Sequence, residues 1–163
     1  MNRWIIVALL TATLAADAGA QATANRSADS AAAVGAAESL LRAISTRDTA
    51  LARRLLMPGA QLASVADPAG PASAGRLQSD SQFVAALAGS KQSLLERMWN
   101  PTVFLQGSLA VVRAAYDFHI DGVFSHCGVD VFTMVRSLGE WRVTHIAYTR
   151  QQQGCAPSPL GAP

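Results

Sequence analysis

The arrangement of apolar residues predicts an α+β fold, with N-terminal helices packed on one face of a strongly curved antiparallel sheet. Three observations carry this. Up to about residue 90, apolar side chains recur at three- and four-residue spacing. Beyond it they alternate. Two tight-turn signals, Asp121-Gly122 and Leu138-Gly139, then tie the alternating segments into a meander. Helices first and strands after is the segregation expected of an α+β domain.

The first helix is predicted from Ser30, where Ala33, Ala36, Ala37, Leu40, Leu41 and Ile44 form one stripe. Thr46 or Asp48 caps a second helix, in which Leu51, Leu55 and Leu56 face inward and Arg53 and Arg54 stay in water, and Pro58-Gly59 ends it. Residues 60–66 make a short strand. The breaker-rich run 67–75 is a loop. Ser79 or Asp80 caps a short third helix carrying Phe83, Val84 and Leu87. Strand candidates follow at 94–99, interrupted by Asn100-Pro101, and at 102–106, 109–120, 123–137 and 140–152.

The N-terminus reads differently. A basic start (Arg3), an apolar run from Trp4 to Ala16 and the small-x-small pattern Ala18-x-Ala20 are the three parts of a secretory signal. The run is shorter than the roughly 20 residues that span a bilayer. The expected organisation is a signal peptide over 1–20, a disordered lead-in over 21–29, one domain over 30–155 and a flexible tail over 156–163. The mature protein would then be exported, periplasmic or secreted, with no stable membrane insertion after cleavage. A net charge of +2 with dispersed cations gives no footprint for nucleic acid. Glycine-rich phosphate loops and a G-x-S-x-G nucleophile motif are absent from the sequence.

If both turns are two-residue loops, Arg113 faces Asp130, Asp117 faces His126, His119 faces Phe124, and Phe132 faces His145. One face is then aliphatic and aromatic, with Val112, Tyr116, Phe118, Ile120, Val129, Val131, Ile146 and Tyr148. The other carries Arg113, Asp117, His119, His126, Asp130, Phe132, Met134, Trp141, Val143 and His145. In this register Asp117 and His126 form either an acid–imidazole pair able to act in general base catalysis or an ordinary cross-strand contact. Arg113 and Asp130 make a salt bridge, exposed or lining a pocket. Trp99 and Trp141 are core or cavity wall. The histidines lack compact metal-ligand spacing, so no metal is expected. Cys127 and Cys155 are either bridged or two free thiols. The register leaves them about 16 Å apart in extended chain unless the tail folds back or the register shifts.

Trp99-Asn100-Pro101, Tyr116-Asp117-Phe118, Asp121-Gly122, the run from Ser125 to Asp130, Trp141, the run from Ile146 to Thr149 and Gly154-Cys155 resemble the nuclear transport factor 2-like superfamily, in its SnoaL-like, exported bacterial branch. The resemblance implies a cone-shaped α+β barrel with a pocket between helices and sheet, and a homodimer through the open sheet face. The leading expectation is a domain that binds a small, partly apolar molecule without a cofactor. Its candidate ligand-binding residues are Trp99, Arg113, Tyr116, Phe132, Trp141 and His145. The alternative is a cofactor-free isomerase, cyclase or hydratase using Asp117 or Asp130 with His126.

Overall fold

The computed structural model describes residues 5–67 and 74–163, with side chains described at residue 21 and from residue 23 onward. Residues 1–4 of the expected signal and most of the expected loop lie outside the described residues. Three helices and six strands follow in the order α1 (Ile5–Thr46), α2 (Thr49–Leu55), β1 (Leu56–Ala66), β2 (Arg76–Ser79), α3 (Asp80–Gly89), β3 (Leu94–Gln106), β4 (Leu109–Ile120), β5 (Val123–Ser137) and β6 (Glu140–Arg150). Among the described residues no helix is long and apolar enough to cross a membrane.

Helix α1 is longer than expected and takes in residues 21–29, read from the sequence as a disordered lead-in. That segment contains no proline or glycine to stop a helix, and Asp29 within it pairs with Arg136 of β5. The apolar stripe lies where the periodicity put it: Ala33, Ala37, Leu40, Leu41 and Ile44 are buried. Arg47, at φ 55°, then turns the chain, and its amide and that of Asp48 donate to the carbonyls of Ile44 and Ala43. Asp48 caps α2 by accepting from the Leu51 amide at 2.9 Å. The guanidinium of Arg142, on β6, donates to the carbonyls of Arg54 and Leu56 at the other end of that helix, at 2.9 and 2.7 Å. Ser79 opens α3 with a capping box closed by Gln82.

The six strands form one curved sheet in the order β2-β1-β6-β5-β4-β3. Neighbours pair antiparallel except β1 and β6, which run parallel. The sheet is therefore mixed rather than wholly antiparallel, and it is open, with β2 and β3 at its edges. β1 begins at Leu56, earlier than predicted, and crosses Pro58-Gly59 through an irregularity in its pairing with β6. The four-residue β2 was too short to show an alternation. α1 packs against β3 and α3 against β1. The core between helices and sheet holds Leu40, Leu56, Val84, Val112, Phe132, Met134 and Val143.

The expected register holds at both turns and fails a few residues from each. Ile120 faces Val123 and His119 faces Phe124, but Phe118 faces His126, so Ser125 is an extra residue on β5. Beyond the other turn Met134 faces Val143 while Thr133 faces His145, so Thr144 is an extra residue on β6. Each bulge exchanges the two faces of the strand beyond it. Asp117 therefore faces Cys127, not His126. Arg113 faces Val131, and Ala114 takes the place opposite Asp130. Phe132 faces Ile146 instead of His145. The acid–imidazole pair and the Arg113–Asp130 salt bridge expected from the sequence do not form.

Candidate functional site

The bulge at Ser125 carries His126, Asp130, Phe132 and Met134 to the inner face, beside Tyr116 and Phe118, and sends Val129 and Val131 outward. There, between sheet and helices, lies a cavity of ≈ 290 Å³. Most of its wall is apolar: Leu40, Leu41 and Ile44 from α1, Phe83 and Leu87 from α3, and Phe118, Phe132 and Ile146 from the sheet. The polar groups in the wall are few, chiefly Glu96, His126, Asp130, Tyr148 and Arg150, with Gln78 and Ser90 from the β2 and α3 side.

Glu96 and Asp130 stand close enough in the cavity wall for their carboxyl groups to act on each other directly. Asp130 is 2% exposed. Its Oδ2 is buried and receives no N–H donor, so two carboxyls in contact require a shared proton. Burial, and then the neighbouring charge of Asp130, push Glu96 well above the usual carboxylate range. Burial pushes Asp130 up to about 7, while the hydrogen bond from Glu96 pulls it back. Glu96 is thus the proton donor of the pair and Asp130 the acceptor. Glu96 is partly exposed and lines the cavity.

His126 lies on the same strand as Asp130, stacked on Phe118 with ring centroids 5.0 Å apart and edge-on to Tyr116 at 5.7 Å. Burial, and then the charge of Arg150, lower it to about 4, so the ring is neutral at neutral pH. Ser125 Oγ lies 3.0 Å from its Nδ1. Tyr116 lies beneath the cavity wall and donates its hydroxyl to the Thr149 carbonyl at 2.8 Å. Burial holds its phenol above the usual range.

The other sequence-predicted residues lie elsewhere. Asp117 is on the outer face, gripped by Arg97 in two hydrogen bonds, Nε to Oδ1 at 2.9 Å and Nη2 to Oδ2 at 2.6 Å. His119 Nδ1 is 3.8 Å from the same carboxylate. Arg113 is exposed, His145 partly buried on the outer face, and Trp99 faces Ala115 away from the cavity. Trp141 is core, with the Arg136 guanidinium 4.7 Å above its ring. Of the expected ligand-binding set, Phe132 lines the cavity and Tyr116 supports it from behind. Glu96 was not among the expected residues, although it shares the parity of Leu94 and Met98 on β3. A lone carboxylate on the apolar side of a strand was the available signal.

Cys127 and Cys155 are bridged, with Cα atoms 6.1 Å apart. The tail folds back as the sequence required for this outcome. Cys127 and Gln151 exchange backbone hydrogen bonds of 2.8 Å, and the chain reverses through Gly154, at φ 71°. The segment after Cys155 lies across the outer face. Pro157, Ser158 and Pro163 share with Arg97, Asp117 and His119 the wall of a second pocket of ≈ 360 Å³. Among the described residues there is no cluster of three or more metal-ligating side chains.

No protein-family model and no curated protein matches the chain. Solved structures do. The beta subunit of a candidate aromatic-ring-hydroxylating dioxygenase from Novosphingobium aromaticivorans is 14% identical, with a TM-score of 0.65, over 85% of this chain and 98% of its own. A nuclear transport factor 2-like protein from Cytophaga hutchinsonii is 16% identical, with a TM-score of 0.61, over 72% of this chain and 93% of its own. A candidate dehydratase of the nuclear transport factor 2-like family from Streptomyces avermitilis is 12% identical, with a TM-score of 0.60, over 77% and 97%. Identities this low speak for the path of the backbone alone. On that measure the chain has the nuclear transport factor 2-like fold.

Proposed function

We propose that this chain binds a small, largely apolar molecule between its helices and its sheet, in a cavity whose few polar groups include Glu96, Asp130 and Arg150. The observation that carries this is the cavity: ≈ 290 Å³, near the lower end of the roughly 300–1,000 Å³ typical of small-molecule sites, with apolar walls and a few convergent polar groups. The chain would do this outside the cytoplasm, where a disulfide such as Cys127–Cys155 persists. The experiment is binding of naphthalene, an apolar probe of suitable size, by the wild-type protein and by Ala86→Trp, which obstructs the cavity from its partly open α3 side. Saturable binding that Ala86→Trp abolishes is expected. Binding that Ala86→Trp leaves intact would sink the reading.

The Glu96–Asp130 pair favours a second reading, cofactor-free proton transfer. Asp130, titrating near 7, would take a proton from a carbon or hydroxyl of the bound molecule, and protonated Glu96 would return one. Isomerisation and hydration or dehydration both need such an acid and base. His126, kept neutral, would contribute shape and a hydrogen bond. The homodimer implied by the resemblance would use the outer face of Val111, Val129, Val131 and Ala147, which no helix among the described residues covers. Light scattering of Val131→Lys against wild type tests it: a wild-type dimer that the substitution splits is expected.

A further inference from the structure

The cavity has at its mouth one charged group that is not neutralised by any partner among the described residues. Arg150 is the last residue of β6. Its side chain lines the apolar cavity and also the adjoining surface cleft, which holds Arg76, Asp67, Gln152 and Gln153. It therefore sits on the boundary between the two. Its charge reaches inward, acting on both His126 and Tyr116. Among the described residues its guanidinium makes no salt bridge and no hydrogen bond, although Asp67 shares the cleft; Arg97, Arg136 and Arg142 all have partners. The acids further in, Glu96 and Asp130, are engaged with each other.

These positions fix an order of charges along the cavity, with a cation at the entrance, apolar walls, and a carboxyl pair holding a proton within. Resting on the ligand-binding reading, we infer that the ligand is an apolar organic acid, bound with its carboxylate on Arg150 and its hydrocarbon body among Leu40, Phe118 and Phe132. A carboxylate placed at the inner end would meet the carboxyl pair and be repelled. A cationic amine would have to pass Arg150 to reach that pair. At the entrance a carboxylate accepts from a guanidinium that stays partly in water, so the pairing does not require a buried ion.

The test compares three probes of one shape, 2-naphthoate, 2-naphthamide and 2-naphthylmethylamine, binding to wild type and Arg150→Gln at pH 7.5 by titration calorimetry. Wild type is expected to prefer the acid over the amide by on the order of tenfold or more, as charge-assisted hydrogen bonds do. Arg150→Gln is expected to erase that preference while holding the amide as wild type does. Equal binding of acid and amide, preference for the amine, or a preference for the acid that survives Arg150→Gln would each overturn the inference and leave the cavity reading standing. If none of the three binds and naphthalene does not bind either, both fall together. Glutamine keeps the backbone carbonyl that accepts from the Asp67 amide at 2.9 Å, and an unchanged thermal transition in the variant confirms that its fold is intact.

Discussion

Replacing Asp130 with asparagine should make the protein more stable above neutral pH, and the structure sets the size and sign of the effect. Asp130 is an acid whose folded-state value, about 7, lies above its ordinary value of 3.8. Such a group holds its proton more tightly folded than unfolded. Its stabilising contribution is therefore complete below pH 3.8 and is lost as the pH rises through 7. At 1.36 kcal/mol per pH unit the loss amounts to about 4 kcal/mol. An asparagine there carries no charge to bury, and its amide donates to Glu96 in place of the shared proton, at a cost of about 1–2 kcal/mol for an imperfect hydrogen bond. At pH 8 Asp130→Asn should then exceed wild type by about 2–3 kcal/mol; the advantage should vanish near pH 5, and at pH 4 the variant should be the less stable by about 1–2 kcal/mol. The wild-type profile alone would mislead. His126, lowered from 6.5 to about 4, has the opposite sign: its contribution is lost as pH falls from 6.5 through 4, offsetting Asp130 over that window. The difference between variant and wild type in urea denaturation, measured every half unit from pH 4 to 9, separates the two. A variant less stable than wild type at pH 8, or a difference that does not change with pH, refutes the idea that the pair is buried and shares a proton.

Three other outcomes follow from the outer face and the sheet. Arg97→Met leaves the Asp117 carboxylate buried without its partner and should cost about 3–5 kcal/mol, whereas Arg97→Met with Asp117→Leu should recover most of it; a chemical-denaturation double-mutant cycle reads the coupling. Cys155→Ser should lower stability by about 3–4 kcal/mol, the chain entropy of a crosslink spanning 28 residues. It should also raise the rate at which diethyl pyrocarbonate modifies His119, now under the tail, relative to His126 in the cavity; peptide mapping by mass spectrometry distinguishes the two histidines. Gly128→Ala places a methyl group in overlap with the Thr149 carbonyl across the β5–β6 pairing, so a loss of about 2–3 kcal/mol is expected, visible as a lowered melting temperature.

Much of this fold was legible because its signals are local. Strands β4 and β5 run from Leu109 to Ile120 and from Val123 to Ser137, as the turns at Asp121-Gly122 and Leu138-Gly139 dictate. The caps at Asp48 and Ser79 lie where a short polar side chain precedes an apolar period. The candidate site was legible only in part, since His126 and Asp130 were singled out with the wrong partners. Ser125 and Thr144 look like any other strand residues, and nothing in their chemistry marks them as extra. What places them out of register is curvature, a property of the whole sheet. Glu96 was hidden for a related reason: its partner Asp130 is on a strand it does not pair with, two positions away in the sheet.

The bulge at Ser125 has a meaning beyond geometry. Two aspartates on neighbouring strands, Asp117 and Asp130, have opposite fates. One is held by an arginine under the tail; the other is in an apolar cavity with a proton to share. One added residue in β5 separates them, and its deletion would return Asp130 to the face of Asp117 without altering a single side chain. In a sheet of this kind the length of a strand is itself a chemical instruction, and relatives that keep every aspartate while losing that residue would not share this pocket.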